Sequence, residues 1–216
     1  MADIIFDVDS TVLSVESLEV IMEASFAKDL KLEQKIQELT EQGMSGALSF
    51  SQSLEKRLAL AQITQTQVSA FCKNIEKYID PQIDTLIQKL QKHHQIWLVS
   101  GAFDPVVLAL GNALGIDKKY CHGVQYIARE NDAIHIPQEG FGISKVQGVK
   151  QLKDKWHSPS ILIGDGYTDY QLYESKLIDH FIVFTKHQSR QEVMKLHPVH
   201  AYDVQSLETA LKQILA

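Results

Sequence analysis

Four short apolar runs set the architecture of this chain. They are Ile4-Ile5-Phe6, Ile96-Trp97-Leu98-Val99, Ile161-Leu162-Ile163 and Phe181-Ile182-Val183-Phe184. Each is too short for a helix and rich in β-branched or aromatic residues, which predicts strands buried on both faces. Segments of helical periodicity lie between and after them: Gln82–His93, Pro105–Leu114, Ser144–Lys155, Gln188–Leu196 and Ser206–Leu215. Strands alternating with helices predict an α/β fold with a doubly wound parallel sheet. Such sheets gather their ligands at the C-terminal strand ends. Polar stretches begin where three of the apolar runs stop: Asp7-Val8-Asp9-Ser10-Thr11, Ser100-Gly101 and Gly164-Asp165-Gly166-Tyr167-Thr168-Asp169.

Residues 14–78 interrupt the alternation. Leu32, Ile36 and Leu39 fall at helical spacing, as do Phe50, Leu54, Leu58 and Ala61, and then Val68, Phe71, Cys72 and Ile75. The expected organisation is a core formed by 1–13 and 79–216, with a helical cap, 14–78, inserted after the first strand. Asp80-Pro81 returns the chain to the core. An insertion above the C-terminal edge of a sheet can act as a lid. Between Cys121 and Ile136, two β-leaning runs flank Glu130-Asn131-Asp132 and predict a β-hairpin.

The 216 residues are 44% apolar, enough for one core with a modest insertion. A formal net charge of -6 without a basic stripe gives no electrostatic footprint for nucleic acid. No apolar run is long enough to span a membrane, and the N-terminus lacks a secretory pattern. Cys72 and Cys121 follow no metal-binding spacing, and two reduced thiols fit a cytoplasmic protein.

The polar stretches supply the chemistry. Asp7 and Asp9 are two residues apart, a spacing that in extended backbone points both carboxylates to one side. Carboxylates that close share a proton or a cation. Asp165 and Asp169 add oxygen ligands of the kind a hard ion such as Mg²⁺ prefers. In the inserted segment Phe50, Leu54 and Leu58 share an apolar helix face. Arg57, seven residues after Phe50, lies on the same side. An arginine turned inward needs an anion, either Glu16 or a ligand carboxylate.

Phe6-Asp7-Val8-Asp9-Ser10-Thr11-Val12 resembles the first motif of the haloacid dehalogenase superfamily, and within it the phosphoserine phosphatase family. Ser100-Gly101, Lys145 and Gly164-Asp165-Gly166-x-x-Asp169 are similar to its second, third and fourth motifs. The resemblance implies a Mg²⁺-dependent phosphatase acting on a small phosphate monoester, phosphoserine, as in serine biosynthesis. By it, Asp7 is the nucleophile that takes phosphate and Asp9 is the acid and base. Ser100 and the Gly101 amide hold a phosphoryl oxygen, and Lys145 balances charge, with Lys150 as a nearby rival. The metal falls to the Asp7 carboxylate, the Asp9 carbonyl and Asp165, with Asp169 supporting its waters. Thr168 stands at a variable substrate-side position. Glu16, nine residues after Asp7, corresponds to the ammonium-binding glutamate, and Arg57 to the carboxylate-binding arginine. Met44 and Phe50 form an apolar wall over the site. Ala102 departs from the pattern, standing where a second glycine is common.

Three other readings use part of the same set: a phosphatase for another small phosphate, a phosphotransferase, or a non-catalytic module that accepts phosphate on Asp7. Asp9 weighs against the last, because a lasting phosphoaspartate needs no acid/base beside it. No N-terminal regulatory extension is present, so feedback through a separate domain is not expected.

Overall fold

A computed structural model describes residues 1–26, 29–130 and 132–216. Six parallel strands form one sheet in the order β3-β2-β1-β6-β7-β8. They are β1 (Asp3–Phe6), β2 (Gln95–Phe103), β3 (Cys121–Val124), β6 (Ser160–Gly164), β7 (His180–Phe184) and β8 (His200–Ala201). The strand β1 lies in the middle, in register with β2 on one side and β6 on the other. The chain therefore winds outward in one direction from β1 and, after crossing back, in the other. That places a topological switch point beside the C-terminal end of β1.

Side-chain alternation divides the core. Ile4 and Phe6 of β1, with Ile96, Leu98, Ile161 and Ile163, face the layer of α5 (Pro81–Leu90), α6 (Asp104–Ala113) and α10 (Val204–Leu215). Ile5, Trp97, Val99, Leu162, Phe181 and Val183 face α7 (Lys145–Lys150), α8 (Tyr167–Glu174) and α9 (Gln191–Leu196). Helices on both faces explain why the strands read as unbroken apolar runs.

Among the described residues the insertion between β1 and α5 carries four α-helices: α1 (Ser17–Phe26), α2 (Leu30–Met44), α3 (Phe50–Ala61) and α4 (Gln65–Cys72). Side chains set the starts of α2, α3 and α4. Asp29 caps α2, and Ser49 and Thr64 form reciprocal capping boxes with Gln52 and Gln67. At the base of the insertion the outgoing and returning chains pair. Leu13 bridges Ile79, the Ser14 amide donates to the Tyr78 carbonyl at 2.9 Å, and the Asp80 amide donates to Val12 at 3.0 Å.

Several expectations need correction. The strand β2 runs on through Ser100 and Gly101 to Phe103, with an irregularity in pairing after Val99. The stretch 121–136 is not one hairpin: Cys121–Val124 joins the main sheet. A separate antiparallel pair, β4 (Ile127–Ala128) and β5 (Ile134–His135), forms the small hairpin. Asn131, between those runs, lies outside the described residues. The predicted helix Ser144–Lys155 stops at Lys150 and resumes as a 3-10 turn, Lys153–Lys155. The predicted helix Gln188–Leu196 begins only at Gln191. Among the described residues no helix is long and apolar enough to cross a membrane.

Candidate active site

The strand β1 ends at Phe6, and the chain then turns sharply. The Val8 carbonyl accepts from the Thr11, Val12 and Leu13 amides, and Ser10 takes a left-handed φ of 53°. Asp7 and Asp9 are therefore presented from a turn. The pleating that was expected to align them stops at Phe6, and their hydrogen-bond partners differ, yet Asp7 lies near enough to raise Asp9.

Asp7 Oδ1 accepts from the Val8 amide at 2.8 Å and from Lys145 Nζ at 2.8 Å. Lys145, buried at the first position of α7, also binds Asp169 Oδ1 at 2.6 Å. Lys150, the rival cation, is exposed. Asp169 lies in the first turn of α8, and its Oδ2 accepts from the Gly166 amide at 3.0 Å. Asp7, Asp165 and Asp169 each bring a carboxylate oxygen within 4.8 Å of the others, and all three are buried. Burial, then the Asp7 charge, pushes Asp169 up to about 7 against the pull of Lys145. Asp165 is raised well above the usual carboxylate range by burial, Arg190 opposing. Lys145 is desolvated too, but Asp169 and Asp7 outweigh this and hold it firmly protonated.

The Asp9 carboxylate stands outside that triad. Its Oδ2 accepts from Ser17 Oγ at 2.9 Å, and its buried Oδ1 has no hydrogen-bond partner among the described residues. Burial first, then the charges of Glu16 and Asp7, raise it well above an ordinary aspartate. Ser100 is buried, and its Oγ accepts from the Ala102 amide at 3.1 Å, which leaves its hydroxyl proton to donate. Thr168 is buried beside Asp169 in the first turn of α8.

The inserted helices close over this edge. A Cβ on Gly101 would come within 2.7 Å of the Phe50 ring, so only glycine permits that approach. Met44 Sδ lies 3.4 Å from where a Cβ of Gly166 would stand. Gly46, at φ +84°, lets the α2–α3 turn settle on the Tyr167 ring.

Arg57 is 5% exposed on α3. Nη1 donates to Thr40 Oγ1 at 3.2 Å and Nε to its own helix at Ser53 O, 3.4 Å. Among the described residues no carboxylate forms an ion pair with it. Burial lowers its pKa, while Glu16, Glu19 and Asp9 lie near enough to raise it. Of the two anions considered for Arg57, Glu16 is engaged elsewhere. It accepts from Ser10 Oγ at 2.7 Å and from Arg190 Nη2 at 2.8 Å. Burial raises its pKa, with Arg190 opposing.

Sequence reasoning missed Arg190, Ser17 and Ser10. Arg190 sits in the loop after β7 and binds Asp165 Oδ2 through Nε at 2.7 Å. Its one available signal was position, since the loop leaves the C-terminal end of a strand.

These features define a hydrolase class. The chain belongs to the haloacid dehalogenase-like hydrolase family, whose model matches residues 4–174. Within that family it is similar to phosphoserine phosphatases. The Bos taurus phosphoserine phosphatase is 32% identical over 198 residues, covering 87% of this chain and 83% of the relative. The crystal structure of a phosphoserine phosphohydrolase-like protein from Francisella tularensis superposes with a TM-score of 0.92 at 32% identity, over 97% of this chain and 99% of the other. A phosphoserine phosphatase bearing a phospho-aspartyl intermediate analogue shares the fold, with a TM-score of 0.76 at 22% identity over 99% and 98% of the two chains.

Proposed function

We propose that this chain hydrolyses O-phosphoserine to serine and phosphate through an aspartyl-phosphate on Asp7, in a Mg²⁺-dependent reaction. The observation that carries the substrate is Arg57: a buried guanidinium on the inserted helices, without an ion pair among the described residues, within electrostatic reach of Asp9. A buried cation of this kind is compensated by an incoming anion. The substrate carboxylate supplies one, and the Glu16 carboxylate, held by Ser10 and Arg190, offers the opposite charge to the ammonium. In this reading 14–78 is the substrate-selecting cap, and Met44, Phe50 and Thr168 border the bound amino acid.

Asp7 Oδ1 is anchored by Lys145 and Val8. A carboxylate oxygen of Asp7 attacks phosphorus, and the bond from phosphorus to the serine oxygen breaks. Asp9 delivers its proton to that oxygen as it leaves. Ser100 and the Gly101 amide hold a non-bridging phosphoryl oxygen, and Lys145 offsets the charge. Asp9, now ionised, takes a proton from water; the hydroxide attacks phosphorus, the bond to Asp7 breaks, and phosphate departs.

The donor set fits a hard divalent cation. Its atoms are all oxygens, on three buried carboxylates that lie within 4.8 Å of one another. Asp7, the Asp9 carbonyl and Asp165 would hold Mg²⁺, with Asp169 supporting its waters, and the ion would supply charge neutralisation at the phosphoryl oxygens. The two free thiols, Cys72 and Cys121, support a cytoplasmic setting.

The test is phosphate release from L-phosphoserine with and without Mg²⁺, alongside phosphate esters lacking the amino-acid groups and with added acceptor alcohols. Metal-dependent release that favours phosphoserine is expected. Equal rates on esters without a carboxylate, or transfer to the alcohols in place of release, would refute the reading.

A further inference from the structure

We propose that Arg190 is a positioning residue that clasps the inserted helices to the catalytic edge, holding Glu16, Glu41 and Asp165 on one guanidinium. Nε donates to Asp165 Oδ2 at 2.7 Å and Nη2 to Glu16 Oε1 at 2.8 Å. Nη1 spans both oxygens of Glu41, at 3.0 and 3.3 Å. The three acceptors come from different places: the loop after β6, the lead into α1, and the last turn of α2. Only a planar fork reaches three carboxylates in three directions; an ammonium is a point donor without that geometry. The side chain is 5% exposed, so the arrangement is made inside the protein.

The rest of the same loop grips the insertion as well. Gln188 Nε2 donates to Glu41 at 3.3 Å. Lys186 Nζ binds Asp80 Oδ2 at 2.5 Å, at the base where the inserted segment rejoins the core. The loop after β7 thus holds the insertion at its root and on α2, and Arg190 links α2 and the lead into α1 to Asp165. Glu41 is the exposed member, with a side chain 58% accessible. It therefore parts from the clasp at least cost when the helices lift, while Glu16 and Asp165 stay held. Arg190 fixes the Asp165 rotamer and supplies the charge that lets Glu16 lie beside Asp165 and Asp9. The roles given to Glu16 and Asp165 rest on the function proposed above; the clasp itself does not.

The test compares the full chain with Glu41→Gln, Arg190→Met, Arg190→Lys and the double variant Glu41→Gln/Arg190→Met. Hydrogen exchange of the α2 and α3 amides, with no substrate present, is expected to quicken about threefold in Glu41→Gln, the scale of one partly exposed ion pair. Arg190→Met should quicken it further, and the double variant should exchange no faster than Arg190→Met. With phosphoserine, Glu41→Gln should raise KM about threefold with kcat within twofold. Arg190→Lys should behave as Arg190→Met, because charge without the fork is not enough. Wild-type exchange in Glu41→Gln, or effects of the two sites that sum in full, would overturn the clasp. Should Arg190→Met not fold, Glu41→Gln and Arg190→Lys decide it. Should phosphoserine not be turned over at all, the substrate reading fails while the exchange data still judge Arg190.

Discussion

Replacing Arg57 with methionine should make the free protein more stable and the enzyme worse. The two effects have one origin. In the free protein the guanidinium is buried with hydrogen bonds to Thr40 and Ser53 but no ion pair. Desolvating such an ion costs several kcal/mol, and the more distant charges of Glu16, Glu19 and Asp9 return only part of it. Methionine keeps most of the aliphatic stem. Thr40 stays satisfied through its own bond to Ile36 O at 3.1 Å. The net gain should be about 1–2 kcal/mol. For a chain of this length that raises Tm by about 2–8 °C. With substrate present, the lost pair to a carboxylate should cost about 2–4 kcal/mol, or about 30- to 1000-fold in kcat/KM. The assay pairs thermal melting with steady-state kinetics on O-phosphoserine and O-phosphoethanolamine, which keeps the ammonium and lacks the carboxylate. A fall in Tm of more than about 2 °C, or equal losses on the two substrates, would refute the reasoning.

Three further outcomes are expected. Asp7→Asn should reduce turnover by at least about 10⁴-fold with Tm within a few degrees, and denatured protein should retain no phosphoryl label from substrate; labelled protein would contradict the assigned nucleophile. Asp169, at about 7, holds its proton more tightly folded than unfolded, where an aspartate lies near ~3.9. Its contribution to stability is therefore full below about pH 4 and is lost as pH rises towards 7. A bound divalent cation reverses that loss, so the Tm gain from Mg²⁺ over EDTA should be larger at pH 7.5 than at pH 5. The difference isolates the carboxylates, because His94, His122, His187 and His197, lowered by burial, push stability the other way with pH. A Mg²⁺ gain that shrinks with rising pH counts against the site. Gly101→Ala should lower kcat/KM about tenfold or more by forcing Phe50 off its seat, with partial recovery in Gly101→Ala/Phe50→Leu; no recovery would place the damage in the phosphate loop instead.

The central sheet was legible because its strands are covered on both faces and read as apolar runs. The short strand β8 was not, since two residues carry no pattern. The run that forms β3 was read as β but placed in a hairpin, because Cys121-His122-Gly123-Val124 lacks the continuous apolar signal of a central strand. Asp7, Asp165, Asp169 and Lys145 were legible through order and position at strand ends, and the structure brings them together. Period-two reasoning had no strand to act on at Asp9, because the strand stops at Phe6 and the turn at Ser10 takes over. Arg190 escaped because its partners lie 25, 149 and 174 residues away, and no local pattern reports a contact of that span.

The inserted segment departs and returns side by side, Leu13 bridged to Ile79. Its two ends are therefore already joined, and its length carries no closure penalty for the sheet below. A stretch attached in this way behaves like a cassette. It can be shortened, enlarged or exchanged as a block while the phosphoryl-transfer floor is inherited unchanged, so new substrates are open to such a chain without redesign of its chemistry.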